Sequence, residues 1–233
     1  EAFRSGKTID KLYVLDGCQD GPVKSITREA RKHDTIINYV AKERLDQLSE
    51  TGKHQGVIAV SAAYEYAEVE DILAAAEAKG EAPFIIILDG IEDPHNLGAI
   101  IRTANQAGAH GVIIPKRRAV GLTPTVARTS AGAINYTPVA KVTNISNTMK
   151  ELKDKGMWFV CADMDGTRMY DLDLTGPIGL VIGNEGDGVS PLVKKNCDMV
   201  ASIPMKGDID SLNASVATGV LAYEIVRQRI NKG

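Results

Sequence analysis

Cysteine is scarce in this sequence. Cys18, Cys161 and Cys197 are the three in 233 residues, odd in number and far apart. That argues against a disulfide-stapled scaffold and gives no metal spacing, so they read as reduced thiols of a cytoplasmic protein. No apolar run approaches the ~20 residues of a membrane span, and the first residues do not read as a signal peptide. An excess of one charge is also missing: 27 Lys and Arg stand against 30 Asp and Glu, a net of −3. A general phosphate binder is usually basic, so indiscriminate nucleic-acid binding is disfavoured, whereas recognition through a local patch is not. The four histidines, His33, His54, His95 and His110, have no metal-ligand spacing. No P-loop and no dinucleotide G-x-G-x-x-G occurs. There is no acidic G-x-G-x-G loop of a class I methyltransferase, no internal repeat and no low-complexity segment.

What is present is an alternation of short apolar strands and amphipathic helices. Residues 1–64 read as a small α/β unit. A helix ends near Gly6, and strands fall at "KLYVLDG", "TIINYV" and "HQGVIAVSAAY". Helices fall between them at "GPVKSITREARKHD" and "AKERLDQLSETG". Residues 65–82, rich in Ala and Glu, read as a helical linker. From Pro83 to Gly233 the rhythm becomes regular strand–helix alternation. It starts with "FIIILDG", apolar throughout as in the centre of a parallel sheet. Ser190 and Pro191 look like the cap and first residue of a helix, and "SLNASVATGVLAYEIVRQRI" like a long final one with Ser211 as N-cap. The class is therefore α/β, with a parallel-sheet domain behind a smaller α/β domain.

Three turns in the larger domain share a grammar of apolar strand, Gly-rich polar turn and helix. They are "ILDGIEDPHNLGAIIRTA", "LVIGNEGDGVSP" and "SIPMKGDIDSLNASVA". Ligands of open α/β sheets bind at the carboxyl ends of strands, where such turns gather. One such turn is weak evidence, and three in one domain are much stronger. "PKRRAVGLTPTVART", Pro115 to Thr129, is the one distinctly basic loop, with Lys116, Arg117, Arg118 and Arg128.

These motifs closely resemble those of the SpoU family of RNA 2′-O-ribose methyltransferases, in the SPOUT superfamily. They read Asp93-Pro94-His95-Asn96-Leu97-Gly98 with Arg102-Thr103-Ala104, then Ile182-Gly183-Asn184-Glu185-Gly186-Asp187-Gly188. The third is Ile203-Pro204-Met205-Lys206-Gly207 with Ser211-Leu212-Asn213-Ala214-Ser215-Val216-Ala217. The first ~60 residues are similar to the RNA-binding domain of the subgroup acting on a guanosine of 23S ribosomal RNA, with Glu1 a few residues inside that domain. The resemblance implies a trefoil knot, a homodimer and S-adenosylmethionine as cofactor. Gly183, Ile203 and Leu212 would contact the cofactor largely through backbone, with Met205 lining the pocket and Thr129 nearby. Arg102 would stand at the catalytic centre with Asn96, Glu185, Ser211 and Asn213 around it. Arg4, Lys7, Lys53 and His54 would hold the RNA.

A ribose 2′-OH is a poor nucleophile and a methyl sulfonium a good electrophile, so catalysis needs alignment and a path for the proton. A guanidinium stays charged in proteins and is no literal base. Arg102 is expected to grip the adjacent phosphate while a phosphate oxygen or Glu185 takes the proton. Two rivals stand beside this reading. "WFVCADMDGT" carries the D-x-D-G-T of haloacid-dehalogenase-type phosphatases, which would make Asp163 a phosphoryl acceptor and Asp165 an acid/base; too little chain follows it, and a turn is the plainer reading. A non-catalytic RNA-binding protein of the same fold is the other, and the intact polar set argues against it. A transfer RNA is the alternative substrate.

Overall fold

A computed structural model of the chain describes residues 8–18, 20–49, 51–209 and 211–232. The chain forms two compact units, Glu1–Glu65 and Tyr66–Gly233. The helix expected around residues 2–6 lies outside the described residues.

The first unit contains β1 (Ile9–Leu15), α1 (Gly21–Lys32), β2 (Ile36–Val40), α2 (Lys42–Leu48) and β3 (Val57–Ser61). Its strand order is β2-β1-β3, with β1 parallel to β2 and antiparallel to β3. In β1, Leu12 and Val14 are buried beside half-buried neighbours, the period-2 pattern of a strand with one covered face. Helix α1 buries Val23, Thr27 and Ala30, spaced four and three residues apart on one stripe. Leu12, Val14, Val23 and Ala30 form the small core of this unit.

The second unit opens with α3 (Val69–Lys79), in the segment expected to be a linker. Asp71 Oδ2 accepts from the Glu68 N–H at 2.9 Å at its start, and Gly80 ends it at a φ of 66°. Ile72 is wholly buried in the same apolar cluster as Ile85, Ile87 and Ile113. It sits so close to β5 that a Cβ at position 111 would lie 2.5 Å from Ile72 Cδ1, so Gly111 is what lets the helix dock. The segment is therefore part of the core of this unit. Its apolar face is narrow, mostly alanine, which hid it from a reading by hydrophobic stripe.

The unit continues with β4 (Phe84–Asp89), α4 (Pro94–Gln106), β5 (Gly111–Pro115), α5 (Pro124–Thr129), β6 (Val139–Val142) and α6 (Ile145–Asp154). Then come β7 (Trp158–Arg168), β8 (Ile178–Gly183), α7 (Pro191–Lys195), β9 (Met199–Ser202) and α8 (Ala214–Lys232). Among the described residues the strands form one six-stranded sheet in the order β6-β5-β4-β8-β7-β9, parallel throughout. Phe84 to Leu88 are all buried, as expected of a central strand covered on both faces. Three details differ from the sequence reading. Strand β7 runs past Met164 to Arg168 through a bulge in which Ala162 and Thr167 both face Ala201. Ser190 precedes α7 without a side-chain cap, and its N–H donates to Asp89 Oδ2 at 2.8 Å instead. Helix α8 starts at Ala214, so Ser211 is not its N-cap. Buried His110 is structural: its Nδ1 accepts from the Phe84 N–H at 3.0 Å and its Nε2 faces Glu81 at 3.1 Å.

Candidate active site

The carboxyl ends of β4, β8 and β9 carry the three motif turns. At the first, Asp93 caps α4 by accepting from the His95 N–H at 2.9 Å, and Pro94 opens the helix, where a missing N–H costs nothing. His95 itself is exposed, and its backbone serves this cap. Asn96 follows on the buried side of the first turn, 7 % exposed. At the second, Asn184 Oδ1 accepts from the N–H groups of Gly186 (2.9 Å) and Asp187 (2.6 Å) and rounds the chain into a tight turn. Gly183 lies at its base; a Cβ there would stand 1.9 Å from the carbonyl carbon of Gly188.

The third turn joins the other two. Asn96 Nδ2 donates to Glu185 Oε1 at 3.0 Å, and Asn96 Oδ1 accepts from Asn213 Nδ2 at 3.0 Å. Asn213 Nδ2 also donates to Glu185 Oε1. The other end of the Asn213 amide caps α8: its Oδ1 accepts from the Ser215 N–H at 3.0 Å and the Ser215 hydroxyl at 2.6 Å. Asn213, not Ser211, is thus the N-cap, and it was missed because Ser211 and Asn213 are both good caps two residues apart. The capping oxygen and the donating nitrogen together fix which way the amide points. A cleft of about 620 Å³ opens beside this cluster, lined by Asn96, Glu185, Glu92, Asp93, Asp187 and Arg118 among others. Arg118 is a non-glycine residue at a φ of 54°.

A second pocket, about 380 Å³, is lined by Asp163, Met164, Ile203, Met205, Ser211 and Leu212 among others. Three residues expected at a cofactor, Ile203, Met205 and Leu212, therefore meet here, and so does Ser211, which was expected in the catalytic set. Asp163 and Met164 were not foreseen as lining. They sit in the bulge of β7, which Asp165 closes by donating its N–H to Asp163 Oδ1 at 3.0 Å. Gly166 lets the bulge lie against β9, since a Cβ there would be 2.5 Å from the Val200 carbonyl oxygen. Lys194 pairs with Asp163 at 2.6 Å, and this bond holds the carboxyl below its ordinary range and the ammonium above its own. The signal was visible: an Asp-rich turn at the end of a strand, read as a decoy.

Other expected residues stand elsewhere. Gly183 shapes the second turn and is not among the residues lining the pocket. Thr129 is not at the pocket either: its Oγ1 lies 2.9 Å from the Thr125 carbonyl and 3.2 Å from that of Pro94, bracing α5 against the start of α4. That packing is tight because position 98 is glycine, where a Cβ would be 1.9 Å from Thr129 Oγ1. Arg102 is exposed on α4, and among the described residues it has no hydrogen-bond or ion-pair partner. Six residues of helix turn it about 120° from Asn96. In the first unit, Arg4 and Lys7 lie outside the described residues. His54 is engaged at both ring nitrogens, Nε2 with Asp46 Oδ1 at 3.0 Å and Nδ1 with the Gly56 N–H at 3.0 Å, so it shapes its own loop and has no nitrogen left for RNA. Lys53 borders that loop, its N–H donating to Thr51 Oγ1 at 3.4 Å. No group of His, Cys, Asp and Glu suited to a metal occurs among the described residues, and none of their helices is long and apolar enough to cross a membrane.

Comparison with known proteins bears on this arrangement. Residues 83–223 match the model of the SpoU rRNA methylase family, and residues 1–67 match that of the RNA 2′-O ribose methyltransferase substrate-binding domain. YacO of Bacillus subtilis, whose name places it among TrmH family tRNA/rRNA methyltransferases, is 49 % identical over 230 residues, 98 % of this chain and 92 % of its own. A relative of that same description from Staphylococcus saprophyticus is 46 % identical over 98 % of this chain and 92 % of its own. Among solved structures, the SpoU methyltransferase AviRb of Streptomyces viridochromogenes, in complex with the cofactor AdoMet, aligns at a TM-score of 0.65. It is 28 % identical and covers 99 % of this chain and 87 % of its own. The TrmH/SpoU tRNA modifying enzyme of A. aeolicus aligns at 0.60 with 32 % identity over 66 % of this chain and 78 % of its own. Three motif turns on one parallel sheet, the two family models and relatives matched along nearly the whole chain lead to one conclusion: the chain belongs to the SpoU methylase family of RNA methyltransferases.

Proposed function

We propose that this RNA methyltransferase acts on the ribose 2′-hydroxyl of a guanosine in 23S ribosomal RNA, as a homodimer. The observation that carries the reaction is the run Ser211-Leu212-Asn213. Ser211 and Leu212 line the apolar pocket, and the next side chain, Asn213, is bonded into the Asn96–Glu185 cluster. One short segment thus borders both a place for a methyl donor and a place for the group to be methylated.

The pocket fits S-adenosylmethionine, the family's cofactor. Met164, Ile203, Met205 and Leu212 offer an apolar surface to the adenosine, and the Asp163–Lys194 ion pair holds the wall of the pocket in shape. When bound, the cofactor supplies an electrophilic methyl on a sulfonium. The rest falls to the chain. Asn96 and Asn213 hold Glu185 Oε1 from two sides, so the carboxylate is aimed before substrate arrives. Glu185 takes the proton of the 2′-OH. Arg102, on another face of α4 from Asn96, holds the phosphate beside the reacting ribose; among the described residues it has no partner, which leaves the guanidinium available. Arg102→Lys keeps the charge but loses the planar fork. Methyl transfer measured with substrate RNA should fall by about 10²-fold, and near-normal turnover would remove the need for a bidentate group.

The trefoil knot belongs to the same reading, as does the dimer. Val216, Tyr223 and Ile230 recur every seven residues along α8 and are 49 %, 50 % and 71 % exposed, an apolar stripe of the kind a second copy covers. The wording of the family's own description supports ribosomal RNA, as does the likeness of the first ~60 residues to the domain of the 23S subgroup; the substrate-binding model names RNA alone. The test is a map of 2′-O-methylation in RNA from a strain lacking the gene and from the same strain complemented. Loss and recovery of one methyl on a 23S guanosine is expected, whereas loss on a transfer RNA would overturn the substrate assignment.

A further inference from the structure

Helix α1 has a second stripe one residue on from its buried one. Val23, Thr27 and Ala30 face the core, so Lys24, Arg28 and Arg31 come to the surface side by side, over about 10 Å of helix. Beside them, on the edge strand β2, Tyr39 is 52 % exposed. A groove of about 390 Å³ runs along this face, lined by Lys24, Arg28, Arg31 and Tyr39 over a floor that includes Val14 and Val23. The Arg31 guanidinium donates to the Tyr39 hydroxyl at 3.4 Å, which ties the cation to the edge of the ring and leaves the ring's face uncovered by it.

The lining contains no carboxylate. The one acid of α1, Glu29, is taken up by Lys32 at 3.0 Å and His33 at 3.6 Å. Asp20, at the start of the helix, accepts from the Cys18 thiol at 3.6 Å. Arg28 has no hydrogen-bond or ion-pair partner among the described residues. A cationic row beside an exposed ring in a concave site is the chemistry of a nucleic-acid strand: charge follows the phosphates, and a π-face takes a base. The ring can receive a base only if that base is free of its own stack, which a loop or bulge provides and a duplex does not.

We propose that this groove binds an unpaired segment of the substrate RNA, with Lys24, Arg28 and Arg31 on its phosphates and one base stacked on Tyr39. The proposal rests on the RNA methyltransferase reading and assigns the grip of the first unit to α1 and β2 instead of the loop at Lys53 and His54. The probe is a fluorescently labelled single-stranded RNA oligonucleotide, alone and annealed to its complement, titrated with the full chain across a salt series. For the Arg28→Gln, Arg31→Gln double variant, affinity should fall at least about tenfold. The slope of log K against log salt should shrink by about 1.4, two phosphate contacts at about 0.7 each. Tyr39→Ala should cost about five- to hundredfold and Tyr39→Phe almost nothing, as a stacking role requires. The duplex should bind more weakly than the single strand. Far-UV circular dichroism and thermal unfolding of each variant should match the wild type, which shows that the first unit is folded. Variants that bind as tightly as a binding wild type, with the same salt slope, would overturn the groove alone. Duplex bound as tightly as single strand would overturn its preference for unpaired RNA. A wild-type chain that binds neither RNA would bring down the groove and the RNA reading together.

Discussion

Glu185→Gln should leave the cluster standing and still slow methyl transfer by about 10²- to 10⁴-fold, the usual worth of a positioned general base. Both donors to Glu185, Asn96 Nδ2 and Asn213 Nδ2, bond a single oxygen, Oε1. The carbonyl oxygen of a glutamine can take that place, so the geometry is retained while the capacity to take a proton is lost. Glu185→Ala removes both functions and additionally strips a partner from two amides, buried Asn96 and exposed Asn213. Comparing the two variants therefore separates proton transfer from positioning. The measurement is single-turnover transfer of labelled methyl to substrate RNA, with S-adenosylmethionine affinity followed by calorimetry. If Gln turns over at nearly the wild-type rate and Ala does not, Glu185 is a positioning residue and the proton leaves to an RNA phosphate oxygen.

Gly183→Ala should be among the most damaging methyl additions in the chain. The new Cβ would lie 1.9 Å from the carbonyl carbon of Gly188, 2.1 Å from the Val189 nitrogen and 2.2 Å from the Gly188 oxygen. All three are backbone, so no side chain can swing aside; β8 and the turn that follows it must move apart. The loss of stability should reach or exceed the ~3 kcal/mol upper end of ordinary overpacking, which lowers the melting temperature by about 6–12 °C in a chain of this size. Because the same turn presents Glu185, methyl transfer should be lost as well. Gly188→Ala is the control. Position 188 has open space around it but a φ of 67°, so it should cost only about 1–2 kcal/mol of backbone strain. Thermal unfolding of the two variants decides the matter, and equal shifts would mean that conformation, not contact, dominates this turn.

The strand–helix alternation after Pro83 was legible because β4, β5 and β8 are short apolar runs ended by Gly or Pro and followed by helices that open on a proline, Pro94, Pro124 and Pro191. The polar cluster was legible only as motifs. Nothing local distinguishes Ser211 from Asn213 as a cap; the choice is made by Asn96 and Glu185, residues 117 and 28 positions away. Helix α3 was taken for a linker because its buried contacts, Ile72 and Ala76, form a stripe too narrow to stand out among alanines. Thr129 and His54 are engaged in contacts that no motif announces, with the Pro94 carbonyl 35 positions away for the one and with Asp46, eight positions back across its own loop, for the other. The basic row on α1 was present at helical spacing all along. What gave it meaning was Tyr39, brought beside it by the parallel pairing of β1 and β2.

Asn213 caps α8 with one end of its amide and ties Asn96 and Glu185 together with the other. During synthesis on the ribosome, residues 96 and 185 emerge well before residues 213–232. A nascent chain at that point has β4, α4 and β8 but not the tether that aims the carboxylate, and the walls contributed by Ser211 and Leu212 are absent too. On the proposed role of Glu185, competence to methylate should therefore arrive late, with the docking of the last helix, and a chain truncated before residue 211 should transfer no methyl.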